Sequence, residues 1–292
     1  MTMILVAGGQ LDPNIGRLLR RLLSRGVAFR DLLVGPKLNP EVSLDFSTGK
    51  FCLNGEVIVP SAGFMRHDVF LQQNDRSPQA AASALNWFHA IRGWLTADNT
   101  IKCFNRRSEG VENNKLRNLS LAREIGLPIP ETMITNNFEA PNVQLTAMEL
   151  VQKPVAGGEL TTLLDSLRES IVTAPLISQY PRFIQERLKR PELRVYRIGD
   201  EVFGFYISSD DLDYRSNNRV TLEPGEVPIS IKRGFWALCE RLGLDFAAGD
   251  FMKRECDGEY CFLEVNTQPM FAAFDIATDG KVCDAIIDYL CS

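Results

Sequence analysis

GDFMKRECDGEYCFLEVNTQPMFAAF, residues 249 to 274, decides how the rest of the chain is read. Residues 251–254 and 260–265 are rich in aromatic and β-branched side chains, and Cys256-Asp257-Gly258 between them carries a turn signal, so the spacing predicts an antiparallel hairpin. Glu264 and Asn266, two positions apart, then share one face of the second strand. Asp250 joins that face only if the loop has an odd number of residues centred on Asp257, because opposed residues of an antiparallel pair keep a constant index sum. A three-residue loop with Gly258 in the left-handed conformation meets this condition, whereas a two-residue Asp-Gly turn sends Asp250 to the other face. In the first register two carboxylates and an amide oxygen converge. That donor set suits a hard cation such as magnesium, which keeps several waters and is completed by phosphates. On residue pattern alone a solvated hairpin with scattered acids stays equally open, since strands often expose alternate polar residues.

At 292 residues the chain can bury a large core, and its length suggests about two domains or one multi-lobed enzyme. Hydrophobic content of 45% and charged content of 24% are those of an ordinary globular protein. The net charge of -5 argues against nonspecific nucleic-acid or anionic-membrane binding, and no apolar run is long enough to span a bilayer. Seven cysteines without a C-x-x-C pair, and only two histidines, argue against a zinc site. An odd cysteine count and no signal-peptide pattern lead us to expect free thiols in a reducing cytoplasm.

Upstream, residues 3–7 read as a buried first strand, followed by Gly8-Gly9 as a tight turn and a helix capped near Asp12 or Asn14. Neither G-x-G-x-x-G nor a P-loop is present. A turn at Asn54-Gly55, a helix over residues 79–94 with Trp87, Phe88, Ile91 and Trp94 as core, and a boundary near residues 105–114 complete an N-terminal α/β segment. A helix carrying Leu116, Leu119 and Ile125 follows, then strands at residues 131–135 and 148–154, a glycine loop, a helix at residues 163–169 and a strand at residues 183–188. A hairpin of residues 193–199 with 201–207 and a helix over residues 228–242 lead into the opening motif. For Arg66 and for Asn105-Arg106-Arg107, contact with an acidic substrate is one reading and a structural salt bridge or solvated loop the other.

Without a P-loop, phosphates need lysines and a closing glycine loop. The chain supplies Lys115, then Lys153 just before Gly157-Gly158. The ordered run of lysine, helix and G-L-P-x-P-x-T, then K-P-x-x-G-G, then F-I-Q-E-x-L, then Asp250, Glu264 and Asn266 resembles the ATP-grasp superfamily from about residue 115 to 274. The resemblance implies an α/β (α+β) fold, with an N-terminal pre-ATP-grasp domain (1–110), a central small lobe (111–187) and a C-terminal lobe (188–292) that together clasp ATP.

It also implies site roles. Gln185, Glu186, Arg187 and Leu188 would form the adenine hinge, Glu192 would hold the ribose, and Lys115, Lys153, Gly157 and Gly158 would hold the phosphates. Asp250, Glu264 and Asn266 would bind magnesium, two ions in the family's pattern, with manganese as a substitute. Asp213-Tyr214-Arg215-Ser216-Asn217 resembles a run found in peptide-modifying ATP-grasp ligases. It makes Arg215, Arg194 and Asn217 the catalytic candidates and Ser216 a nucleotide contact. The implied reaction is carboxylate activation as an acyl phosphate, followed by attack of an amine or hydroxyl. The branch resembled is that of ribosomal-protein glutamate ligases and microviridin-type peptide macrocyclases. Ile207-Ser208-Ser209 stands where glutamate ligases tend to carry an arginine pair, which favours a peptide substrate over free glutamate. A small carboxylate substrate, as in a dipeptide ligase, and a non-catalytic nucleotide-binding protein are the alternatives, and a homodimer is the base-rate expectation.

Overall fold

The computed structural model describes residues 2–108, 114–138, 149–156, 160–166, 177–209 and 220–292. Its first sheet has the order β2-β1-β6-β7, all parallel, made of β1 (Ile4–Gly9), β2 (Phe29–Val34), β6 (Ala62–Met65) and β7 (Lys102–Cys103). Every residue of β1 is buried, as a central parallel strand covered on both faces requires. Helix α1 (Pro13–Ser24) follows, with Asp12 accepting from the Asn14 amide at 2.8 Å and Pro13 in the first turn. Such a cap is worth about 1 kcal/mol. Ile15, Leu18 and Leu22 turn inward, and Gly26 stops the helix at φ +65.

The pair Gly8-Gly9 does not form the expected turn. Both residues end β1 without positive φ, and they are small for reasons of space: a Cβ on Gly9 would stand 2.2 Å from the Asp68 carboxyl carbon, and one on Gly8 2.9 Å from Ile15. Strands β3 (Val42–Asp45), β4 (Lys50–Leu53) and β5 (Glu56–Ile58) make an antiparallel meander, with Asn54 and Gly55 both at positive φ in the β4–β5 turn. Helices α2 (Val69–Asn74) and α3 (Pro78–Ala97) follow, and α3 buries Phe88, Ile91, Trp94 and Leu95, with Trp94 stacked on Phe51 at 4.0 Å.

After α4 (Lys115–Glu124) comes a four-stranded antiparallel sheet of order β10-β9-β11-β8, from β8 (Thr132–Asn137), β9 (Leu150–Pro154), β10 (Thr162–Leu163) and β11 (Ile177–Glu186). Leu163, expected in a helix, pairs with Val151 instead, and helical backbone begins at residue 164. The last sheet has the order β14-β13-β12-β15-β16, from β12 (Lys189–Ile198), β13 (Glu201–Ser208), β14 (Thr221–Gly225), β15 (Phe246–Lys253) and β16 (Tyr260–Asn266). Helix α5 (Ile229–Leu242) precedes β15, and α6 (Ala272–Ala277) and α7 (Lys281–Cys291) close the chain.

Strand alternation sorts the last sheet into two faces. Leu193, Val195, Ala247 and Phe251 pack with Ile231, Phe235 and Leu238 of α5 and with Leu119 of α4. Tyr196, Ile198, Phe205, Phe246 and Ala248 face the other way, into a core that also holds Ile4, Leu18 and Phe64 of the N-terminal segment and Ile286 of α7. Glu192, Arg194 and Asp250 continue this second stripe toward the sheet's open end. The face is apolar where helices and β1 cover it and polar where it meets the cleft.

Candidate functional site

The hairpin β15–β16 brings the three expected donors together. Asp250 lies opposite Glu264, and Ala248 opposite Asn266, so all three point to one face, and the Asn266 amide donates to Asp250 Oδ2 at 3.2 Å. The route to that register differs from the one expected. The turn closes on an even loop in which the Arg254 amide meets the Glu259 carbonyl at 2.8 Å, although Gly258 is left-handed as expected, at φ +71. Beside the turn Phe251 pairs with Phe262, and one step further Asp250 pairs with Glu264, leaving Leu263 as the extra residue of a β-bulge. The bulge restores the face that an even loop would have lost.

Each carboxylate is held by a cation. Arg194, directly opposite Asp250 on β12, forks onto it with Nε–Oδ1 at 2.7 Å and Nη2–Oδ2 at 2.8 Å. Lys115 Nζ, at the start of α4 behind the Asn114 cap, reaches Glu264 Oε2 at 2.9 Å. Lys153 on β9 rises over the Phe183 ring at 5.8 Å. Glu192 is buried, with Arg190 no nearer than 3.8 Å.

These neighbours set the titration behaviour. Burial pushes Glu192 up to about 7, with the Asp250 charge adding to it. Burial likewise raises Asp250 despite the Arg194 fork. For Glu264 burial acts upward, but Lys115 and Lys153 outweigh it and hold the carboxyl below its ordinary value. Burial lowers the Lys153 ammonium to about 8, against the attraction of Glu264.

The two antiparallel sheets are joined at residues 187–188, and the cleft there, of about 370 Å³, is lined by Lys115, Lys153, Glu192, Arg194, Glu264 and Asn266 among others. Gln185, Glu186, Arg187 and Leu188 line it as expected. The side chains of the first two are already engaged: Gln185 donates to Thr132 Oγ1 at 2.8 Å, and Glu186 accepts from the Glu131 amide and from Arg254 Nε, each at 3.0 Å. The amides of Glu186 and Arg187 are engaged too, with the Glu131 and Glu149 carbonyls, and the Arg187 side chain pairs with Glu149 at 2.7 Å. Gly157, Gly158, Arg215, Ser216 and Asn217 lie outside the described residues.

Among the described residues no three His, Cys, Asp or Glu side chains are grouped to hold a metal. The trio of Asp250, Glu264 and Asn266 offers two carboxylates and an amide oxygen, so the chemistry of the donors fits a hard, mostly hydrated cation that shares phosphate oxygens.

A buried polar set ties the N-terminal segment to the loop after Asn266. Arg66, 2% exposed, pairs with Asp12 at 2.8 Å and donates to the carbonyls of Pro269 at 2.7 Å and Gln268 at 3.3 Å. Asn14 Oδ1 accepts from the Phe271 and Ala272 amides, and the Gln268 side chain accepts from the His67 amide at 2.8 Å. The N-terminal sheet thus grips the loop that leaves Asn266. Asn105, at φ +55, accepts from the Asp245 and Phe246 amides at Oδ1 and donates from Nδ2 to the Phe246 and Thr267 carbonyls, while Arg106 donates to the carbonyls of Leu95, Thr96 and Asp98. Of the two readings for these residues the structural one holds. No local signal marks Arg66: Asp12 is 54 positions away, and the Gln268 and Pro269 carbonyls are 202 and 203.

No protein-family model matches the chain, and no curated protein is significantly similar to it. Solved structures do match. The ATP-grasp ligase PsnB complexed with a minimal precursor is 26% identical over 99% of each chain, with a TM-score of 0.76. The same ligase with minimal precursor, Mg and ADP is 24% identical over 98% of this chain and 97% of that one, also at 0.76. The macrocyclase MdnC of Microcystis aeruginosa MRC, bound with precursor peptide MdnA, is 22% identical over 100% of both chains at 0.71. The D-alanine–D-alanine ligase of Bacillus anthracis complexed with ATP is 15% identical over 99% of this chain and 97% of that one, at 0.56. The chain has the ATP-grasp fold.

Proposed function

We propose that this ATP-grasp chain is an ATP-dependent ligase that activates a carboxylate as an acyl phosphate and passes the acyl group to an amine or hydroxyl, with a peptide as its substrate. The carrying observation is the convergence of Asp250, Glu264 and Asn266 with Lys115, Lys153 and Arg194 in a cleft between two β-sheets. Likeness to ligases complexed with precursor peptides supports the peptide over a small-molecule substrate, since the D-alanine–D-alanine ligase superposes less well.

ATP enters with its adenine against residues 185–188 and its ribose toward Glu192. Lys115 and Lys153 take phosphate oxygens as point charges. Magnesium, held by Asp250, Glu264 and Asn266 when bound, neutralises charge on the terminal phosphates. Phosphate entry gives Lys115 a new partner and frees Glu264 from it. Arg194 keeps Asp250 oriented and is the described candidate for stabilising developing negative charge. Arg215 and Asn217 hold that role on sequence grounds alone. A substrate carboxylate oxygen attacks the γ phosphorus, ADP leaves, and an amine or hydroxyl then displaces phosphate from the acyl carbon. We include in the proposal a homodimer and a reducing cytoplasmic setting, the latter supported by seven free cysteines. No helix among the described residues is long and apolar enough to cross a membrane.

The test is ADP release with a short peptide rich in Thr, Ser, Asp and Glu, encoded beside the gene, followed by mass spectrometry. Loss of one water per bond formed supports the proposal. ADP release stimulated equally by free amino acids would favour the dipeptide-ligase alternative.

A further inference from the structure

Behind the loop that leaves Asn266 lies a second cavity, between α3 and the N-terminal grip on residues 267–268. It has a volume of about 30 Å³ and is lined by Arg66, Arg92, Thr96, Asn105, Thr267 and Gln268 among others. That volume holds a group of two oxygens and excludes an aromatic ring or a nucleotide. Gln268 also lines the nucleotide cleft, so this residue is a wall of both spaces.

The charges around the cavity do not balance. Arg66 is compensated by its ion pair with Asp12. Arg92 has no acidic partner among the described residues, and its one hydrogen bond runs from Nη2 to the Asn105 carbonyl at 3.0 Å. Burial holds its pKa below the ordinary arginine range, with Cys103 and Asp245 too weak to offset it. No Arg92 nitrogen is buried without a partner, so the donors it does not use stay open beside this cavity, where a two-oxygen acceptor can meet them. Thr267 and Gln268 add polar side chains on the wall nearest Asn266.

We propose that this cavity is a carboxylate subsite for the substrate, in which Arg92 receives an acidic side chain of the peptide and so holds the neighbouring reacting group beside the nucleotide. The inference rests on the ligase reading above. It places recognition of a second, unreacting acid on the N-terminal segment rather than on the lobes that hold ATP.

The probe is glutamate capped as its N-acetyl and N-methylamide derivative, compared with glutamine capped in the same way, each titrated into the full chain with Mg-ADP and followed by amide NMR shifts. Capped glutamate is expected to shift the Arg92, Thr267 and Gln268 amides saturably, and capped glutamine not to. Arg92→Met should weaken this binding about tenfold or more, and Arg92→Lys should recover most of it, since a charged hydrogen bond separates the variants. If Arg92→Met does not fold, Arg92→Gln carries the comparison. Equal response to both probes, shifts confined to other regions, no binding at all, or an unaffected Arg92→Met would overturn the subsite. Mg-ADP affinity is read on the same samples. Capped glutamate binding without Mg-ADP binding would sink the ligase reading and leave the subsite standing, and the reverse pattern would do the opposite.

Discussion

Nucleotide affinity should fall as pH rises above about 8, and Lys153 is the reason. Burial lowers this ammonium to about 8 in the free protein, so near pH 9 most of it is neutral. Phosphates beside it favour the charged form and lift its pKa in the complex, which means that binding above pH 8 takes up a proton. The sign follows by linkage: the phosphate contact is fully available below the free-state pKa and is lost as pH climbs through it. With the bound pKa above about 10, the protonated fraction falls from roughly nine-tenths at pH 7 to roughly one-tenth at pH 9, an affinity loss of about tenfold. Glu192 acts on the acid side. It is held up to about 7, so its carboxylate becomes available to ribose hydroxyls as pH rises through 7, and affinity should peak between 7 and 8. Calorimetric titration of AMP-PNP with excess magnesium across pH 6 to 9.5 reads both limbs. Lys153→Arg should flatten the alkaline limb, because a guanidinium stays charged, and Glu192→Gln should flatten the acid limb. A wild-type profile flat from pH 7 to 9, or an alkaline limb that persists in Lys153→Arg, would refute this assignment.

Three further outcomes follow from distances in the structure. Glu264→Gln keeps the shape of the side chain but removes one anionic ligand, so ADP formation should drop by about 10³ or more while the melting temperature stays near wild type. Gly249→Ala places a Cβ 2.5 Å from the Phe235 ring, and overpacking of this kind should cost about 1–3 kcal/mol in denaturant unfolding; an unchanged midpoint would mean that α5 gives way freely. Arg66→Met leaves Asp12 buried without its partner and should cost about 3–5 kcal/mol, with Arg66→Met/Asp12→Asn recovering part of it; additive losses would deny the pairing.

Much of the site was legible because its signals are local. Asp250, Glu264 and Asn266 fall on one hairpin, Lys115 starts a helix whose Asn114 cap stands beside it, and period-two alternation places Glu192 and Arg194 on one face. The loop geometry was not legible. An even turn and a bulge at Leu263 produce the same register as the odd turn expected, and a bulge leaves no mark in hydrophobic alternation. Gly8-Gly9 read as a turn because glycine pairs usually serve turns, whereas here they admit Asp68 and Ile15 against a buried strand. Leu163 was drawn into the helix that follows it because two residues of strand carry no periodicity. The grip of Arg66, Asn14 and Asn105 on residues 245–272 depends on contacts well over 100 positions apart, and nothing in the neighbourhood of any of these residues announces its partner.

Calorimetric titration of ADP into the wild-type chain and into Asn266→Leu, each with magnesium and with EDTA, bears most directly on the three-donor site. The expected result is tight binding that requires magnesium in the wild type and loses that requirement, along with most of its affinity, in the variant. Equal ADP affinity with and without magnesium in the wild-type chain would contradict the metal-nucleotide assignment and the ligase function built on it.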